Sequence, residues 1–401
     1  MPAMLPVDEA RNKVLSAVKP LAPIELPLAE AGGCVLAHDA ISEFDIPPFS
    51  TAALDGLACR SADIYGASPK APIELRLAGE AMTDGPPGVT VGWGEAVRIV
   101  AGAVLPAGAD CVVPGDRYTF EGETAHVTGA VDVGDFVSPA GEDVRASEVL
   151  VGAGRRLSAP ELALLAAAGY ARAFVHPKAR VAVASLGDVV EPGAQTAFGR
   201  ASDAGSFALL GALREAGAAP HRIGIVQRIS AELRGVLQEN VARADCFACA
   251  GADSPEVGAV LSDIASVERL ELEMYPPAVL RFGFVEGVPF FGLPSRPVSL
   301  FIAYEVLARP AILKILGRRD LDRPTVLPIL DQDLLGPYGV RLYLPTRVFH
   351  REGAWHAELT SPSAPDRLGA LVRANGFING VEAGAKAGDR VPVRLFRALA
   401  R

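Results

Sequence analysis

RVAVASLGD at 180–188, SFALLGALREAG at 206–217, RIGIV at 222–226, SAELRGVLQENVAR at 230–243 and DCFACAG at 245–251 follow one another in a single stretch of the chain. The first, third and fifth pieces are short apolar runs bounded by glycine or charge, as strands buried on both faces require. The second and fourth carry apolar residues at helical spacing, with Ser206 and Ser230 at their starts and Gly217 as a stop after the first. Strand–helix–strand–helix–strand order predicts a parallel sheet covered by helices. Ligands of such sheets lie at the carboxyl ends of the strands, which here are Gly187-Asp188 and the loop beginning at Gly251. The helical run at 297–317 closes the region, with Pro297 at its start, Pro310 expected to kink it and Gly317 to cap it.

Upstream the texture differs. DEARNKVLSAVK at 8–19 places Ala10, Val14 and Val18 on one side of an amphipathic helix; its Ser16/Lys19 pair matches S-x-x-K, but the partner motifs of a serine acyl-enzyme are missing and a solvated helix face explains both residues. From 45 to 140 β signals dominate. Ile73, Leu75 and Leu77 alternate with Glu74 and Arg76, Ala96–Val100 and Asp110–Val113 are short apolar runs, and 118–120 faces 124–127 across Glu121-Gly122-Glu123 as a hairpin. Residues 157–171 return to helix, with Ser158 as N-cap, Pro160 in the first turn and Gly169 as a stop. Beyond the charged segment RRDLDRP at 318–324, alternation at Val340/Leu342/Leu344 and Val391/Val393/Leu395, with a hairpin about Glu352-Gly353, predicts a small β-barrel or sandwich. The expected division is a linker and helical region at 1–44 and 141–176, a β-rich insertion at 45–140, an α/β domain at 177–318 and a β domain at 324–401.

Composition excludes several classes. The chain has 401 residues, half of them apolar, with a mean hydropathy of +0.27, far from a disordered composition. Its 47 acids against 38 bases and the absence of any basic run longer than a pair leave no stripe for a phosphate backbone, so no nucleic-acid partner is expected. No apolar stretch reaches the roughly 18 residues needed to span a bilayer, and the first residues lack the features of a signal peptide, so no membrane partner is expected and the expected location is cytoplasmic. Five cysteines scattered over the chain read as reduced thiols. Cys246 and Cys249 form a C-x-x-C, but inside a probable core strand rather than at a helix start. The six histidines are dispersed, and no zinc spacing, P-loop, G-x-S-x-G or full G-x-G-x-x-G is present.

What remains is a set of acids in glycine- and proline-bounded loops: Asp55, Asp143, Asp188 and Asp245. Each alone reads as a turn former or cap. Their contexts change that weighting. FDIPPFSTAALDGLACRSADI at 44–64 resembles the Pro-x-Phe-Asp-x-Ser-Ala-Met-Asp-Gly-Tyr-Ala-hydrophobic-Arg pattern of the MoeA family, the molybdopterin molybdotransferases, which includes the E domain of gephyrin. The resemblance continues in order through RIVAGAVLPAGADCVV at 98–113, GEDV at 141–144, SLGDVVEPG at 185–193, GLPSRPVS at 292–299 and LVRANGFI at 371–378. It implies a multidomain α/β plus β fold: an elongated N-terminal region with a β-rich insertion, a molybdopterin-binding α/β domain with a mostly parallel sheet, and a C-terminal barrel-like β domain. It implies a homodimer, or a heterodimer with a paralogue.

The implied activity is insertion of molybdate into adenylylated molybdopterin with release of AMP, helped by Mg2+ or another divalent cation. The implied catalytic acids are Asp55, Asp143 and Asp188, and the implied cofactor-binding residues are Asp245, Gly251, Ser254, Pro294, Arg296, Pro297 and Ser299; no metal ligands are assigned. The pattern is also broken. The family threonine before Gly-Ala is Ala101, the glutamate after Gly-Asp is Val189, the Ser-Gly-Gly-Val-Ser-x-Gly loop is replaced at 250–256, and the acid beyond it aligns with Ala259. The Lys-Pro-Gly-Lys-Pro segment becomes Tyr275-Pro276-Pro277-Ala278-Val279, and a C-terminal Gly-Ser becomes Ala364-Pro365. Each lost lysine removes a charge-assisted bond worth roughly 1.5–3 kcal/mol, and Asp253 and Glu256 add like charge to an anion site. Arg296 and Arg281 are the candidate replacements. Two readings follow, a transferase with an altered site, or a non-catalytic paralogue that binds a cofactor form, a molybdoenzyme or a true molybdotransferase; a third gives the scaffold a less anionic small ligand.

Overall fold

A computed structural model describes residues 4–399 except 84, 86–87, 195–199, 228 and 362–365; Ala364 and Pro365 thus lie outside the described residues. The chain divides into two compact units.

The smaller unit comprises His38–Ala153 and Ser158–Arg172. Its six-stranded sheet uses β1 (Gly56–Cys59), β2 (Ile73–Ala81), β3 (Glu95–Ile99), β4 (Cys111–Pro114), β5 (Tyr118–Glu121) and β6 (Thr124–Val127) in the order β4-β1-β3-β2-β6-β5. Alternation places Leu57 and Cys59 in one apolar cluster and Ala58 in another, so both sheet faces are covered. The hairpin pairs Thr124 with Glu121 directly, closing on Gly122 and Glu123. Helix α2 (Ala159–Ala167) starts on a capping box in which Ser158 and Glu161 exchange bonds with each other's backbone.

The larger unit holds Met1–Ala37, Gly154–Leu157 and Ala173–Arg401. Its centre is the sheet expected from 180–251: β7 (Arg180–Leu186), β8 (Ala219–Val226) and β9 (Cys246–Ala250) are parallel, and β12 (Val288–Leu293) adds in parallel to β9. Two strands not foreseen, β10 (Ser266–Leu272) and β11 (Ala278–Val285), extend it antiparallel beside β12, giving the order β8-β7-β9-β12-β11-β10. Helices α1 (Val7–Ala17), α3 (Gly205–Ala216), α6 (Pro297–Ala303) and α7 (Arg309–Ile315) share one cluster with Val181, Val183, Cys246 and Ala248. On the other face α4 (Ile229–Asn240) and α5 (Pro255–Ile264) pack on Ala182, Ala184, Phe247 and Cys249. Cys246 and Cys249, three residues apart on a strand, therefore point to opposite faces and cannot act as a dithiol. Burial pushes the Cys249 thiol up to about 12.

The break expected at Pro310 is realised as a wide π turn at Tyr304–Ala308, upstream of a residue that has no N–H to give. The charged segment 318–324 is largely exposed but anchored where Arg323 forms a two-bond fork with the buried Glu305 at 2.7 and 2.8 Å. The C-terminal sheet contains β13 (Pro345–Arg351), β14 (Ala354–Leu359), β15 (Gly376–Ile378) and β16 (Val393–Leu395), with the hairpin turning on Glu352 and Gly353, both at positive φ. Among the described residues no helix is long and apolar enough to cross a membrane.

Candidate functional site

The carboxyl ends of β7, β9 and β12 bring three loops to one edge of the sheet. After β9 the chain turns at Gly251, whose φ is +82° and whose absent Cβ would stand 2.2 Å from the Leu186 carbonyl oxygen. Only glycine fits that crossing. The loop then runs along β12, with Gly251 N–H donating to the Pro294 carbonyl at 3.4 Å and Ala252 N–H to Leu293 at 2.9 Å. Asp253 accepts from both the N–H and the hydroxyl of Ser295, at 3.0 and 3.2 Å, tying the two loops together. Ser254 caps α5, its hydroxyl oxygen accepting from Val257 N–H at 3.2 Å, with Pro255 in the first turn. Pro297 likewise starts α6, and Arg296 stands at its N-cap.

A cavity of about 270 Å³ opens beside these loops, with Asp253, Glu271, Ala278, Pro294, Arg296 and Ser299 in its lining. Ser299 is fully buried and its hydroxyl has no hydrogen-bond partner. Arg296 is two-thirds exposed and pairs with Asp366 at 2.9 Å. Arg281, one of the two candidate replacements for the missing lysines, is not free to serve. Its Nε donates to the Ala252 carbonyl at 2.7 Å and an Nη to that of Ser254 at 3.1 Å, and Gly258 lies against its guanidinium. It holds the loop from below, and burial pulls its pKa down. Glu256 accepts from the Ser230 hydroxyl at 2.9 Å; Ser230 therefore sits within α4 as a partner of α5 rather than as the cap its sequence position suggests.

The other sequence-derived residues are dispersed. Asp188 follows β7 at the same edge, outside the cavity lining, exposed and paired with Arg200 at 2.7 Å. Asp245 lies at the opposite end of the sheet: it accepts from Arg180 Nη2 at 2.8 Å, Nε at 3.1 Å and backbone N–H at 2.7 Å. The five residues of β9 separate it from Gly251, about 17 Å of strand. Grouping Asp245 with the cofactor-binding loops is therefore corrected by the strand direction, and its acceptor capacity is taken up in clamping β7 to β9. In the smaller unit, Asp55 accepts from the N–H of Ala101 at 2.8 Å, and Asp143 sits in a turn whose N–H donates to the Ile46 carbonyl at 3.0 Å.

One polar group escaped the sequence reading. Asp203 is buried and accepts from the Ser185 hydroxyl at 2.6 Å, from Ser206 N–H at 3.0 Å, from the Ser206 hydroxyl, and from Arg222 at 2.8 Å. Burial alone would raise its pKa, but the Arg222, Ser185 and Ser206 bonds outweigh that and hold the carboxyl below its ordinary range. Its signal was the Asp-x-x-Ser spacing of Asp203 and Ser206 at the start of α3.

A mixed α/β sheet with its loops and cavity at the carboxyl ends, accompanied by two β-rich sheets, defines a multidomain α/β plus β protein with a candidate small-molecule pocket. A model of the MoeA N-terminal region, domains I and II, matches residues 5–169. Molybdopterin molybdenumtransferase 1 of Mycobacterium tuberculosis is 34% identical over 339 residues, 79% of each chain. Molybdopterin molybdenumtransferase 2 of the same species is 29% identical over 387 residues, covering 94% of this chain and 95% of the relative. The crystal structure of the molybdopterin biosynthesis MoeA protein from Pyrococcus horikoshii aligns with a TM-score of 0.84 at 28% identity, over 99% of this chain and all of that one. The chain belongs to the MoeA family of molybdenum cofactor biosynthesis proteins.

Proposed function

We propose that this protein acts as a molybdopterin molybdenumtransferase, passing molybdate to the dithiolene of adenylylated molybdopterin as AMP leaves. The observation that carries the reading is the meeting of loops 251–254 and 294–299 at one cavity on the carboxyl edge of the sheet, in a chain 34% identical to a molybdopterin molybdenumtransferase. In this reading Pro294 lines the wall, Gly251, Ser254 and Pro297 set the course of the loops and helix starts behind it, Ser299 offers an unspent hydroxyl, and Arg296 supplies the cation facing anionic oxygens. Asp55, Asp143 and Asp188 are the acids assigned to water or metal. Among the described residues no three His, Cys, Asp or Glu side chains converge on a metal position. For a Mg2+ ion helping this step, Asp188 at the carboxyl edge of the sheet is the protein carboxylate on offer, beside substrate oxygens and water. The protein is assigned to the homodimers, which light scattering on the eluted peak checks.

A second reading, a non-catalytic paralogue, draws on the same wall. Ala278 and Pro277 line the cavity where the resemblance leads one to look for a lysine and its neighbouring glycine, and Asp253 and Glu271 are acids in the same lining. Complementation separates the two. Expressed in a bacterium lacking its molybdotransferase, the chain should restore nitrate reductase activity without added molybdate, and the Asp55→Ala, Asp188→Ala double variant should not. No restoration by soluble protein would favour the paralogue reading, and co-purification of a molybdoenzyme would then identify its partner.

A further inference from the structure

A second concavity in the larger unit shares no residue with that cavity. It measures about 130 Å³ and is bordered by Asp8, Arg11, Arg341, Tyr343, Asn379 and Arg394. Its volume is well below the roughly 300 Å³ at which pockets begin to take drug-sized molecules. Three guanidiniums surround it, against Asp8 in the lining and Asp322 behind it. Asp322 accepts from Arg11 at 2.8 Å and pairs with Arg394 at 3.3 Å, and is held below the usual carboxylate range against its burial by Arg11 and Arg394. Counting this lining and Asp322 alone leaves one positive charge, carried by Arg341, which has no ion-pair partner among the described residues although Glu382 stands opposite it in the neighbouring strand.

Two further donors are unspent. The Nε of Arg394 is buried with no hydrogen-bond partner, on a side chain only 11% exposed. A buried donor left without an acceptor is costly, and more so on a charged group. The Tyr343 hydroxyl makes no hydrogen bond among the described residues. Burial, with Asp8 nearby, pushes its pKa up to about 12, so it stays protonated and can donate. Gly380, at a φ of +72°, leaves that hydroxyl uncovered: a Cβ there would lie 3.1 Å from the phenol oxygen.

We propose that this pocket binds a small tetrahedral oxyanion of the phosphate class, accepting from Arg341, from Arg394 Nε and from the Tyr343 hydroxyl. Such an ion neutralises the unpaired guanidinium and satisfies the orphaned Nε together, and charge-assisted bonds of this kind are the strong ones.

The test is isothermal titration of inorganic phosphate into the full chain in chloride buffer. Saturable binding is expected, weakened at least tenfold in Arg341→Ala and largely kept in Arg341→Lys. Arg341 lies on a short surface strand without an ion pair, so its loss should leave the fold intact, which the melting temperature checks. Phenyl phosphate forms the second arm. Equal affinity supports the site as a receiver of phosphoryl groups on larger molecules, and binding of inorganic phosphate alone supports a free-ion site. Absence of saturable binding, or affinity unchanged in Arg341→Ala, overturns the proposal.

Discussion

The two ends of the parallel sheet treat their carboxylates differently. At the amino ends of β7 and β9, Asp245 spends its oxygens on three donors of one arginine. At the carboxyl ends, Asp203 is saturated from four groups, but Asp188 has one exposed partner, Arg296 shares a single carboxylate, and the buried Ser299 hydroxyl has none. The difference follows from chain direction. Loops at the amino end have only to return the chain, whereas those at the carboxyl end lead into helix N-termini, where N–H groups and dipoles favour anions. Saturated groups there are scaffold, and unsaturated ones are what a ligand can use.

The largest effect should come from the saturated group. In Asp203→Asn the Arg222 guanidinium loses its buried carboxylate but keeps Glu191 at 2.8 Å, so the cost falls at the low end for an interrupted buried pair, about 3 kcal/mol. The sign with pH is fixed by the depressed pKa. The contribution is present above the ordinary carboxylate value near 4 and is lost as pH falls through the lower folded value. Urea unfolding should therefore show a wide gap between wild type and Asp203→Asn at neutral pH that narrows in strong acid. A gap independent of pH would show that the carboxylate's charge is not what the network uses.

A smaller effect tests the opposite end of the sheet. Asp245→Asn removes the charge but keeps one carbonyl acceptor for Arg180, on a pair that is half exposed on the arginine side. The expected cost is about 1 kcal/mol after allowing for solvent screening, with ligand affinity unchanged. Affinity lost in proportion to that seen in Asp188→Ala would break the distinction between the two ends.

Much of this contrast could be read from residues alone. The runs 180–186 and 246–250 declared buried parallel strands, and the glycines after them marked the edge where loops would gather. Period-two alternation even contains the answer to the C-x-x-C, since residues three apart on a strand face opposite ways. Other features needed partners distant in sequence. SVERLEL and AVLRFGFV pair with each other and with β12 through long-range register that no local pattern encodes. Ser230 looked like a cap because its partner, Glu256, lies 26 residues away. Arg281 looked like a spare cation, and only packing beneath Gly258 turns it into a support for two carbonyls. Charges are visible in a sequence, but whether they are already spent is decided by the fold.

Ser299 supplies the smallest stability effect. Its hydroxyl is buried without a partner, so removing it relieves a desolvated polar group and leaves a gap of one atom. Ser299→Ala should therefore unfold within about 0.5 kcal/mol of wild type, or be slightly more stable. If the hydroxyl is held in reserve for a ligand, the same variant should bind adenylylated molybdopterin several-fold more weakly, because an acceptor or donor on the ligand then meets a methyl group. A loss of stability without a loss of affinity would place Ser299 with Asp203 and Asp245 among the scaffold groups, and the unspent polar capacity of the cavity would then rest on Arg296 and the exposed acids.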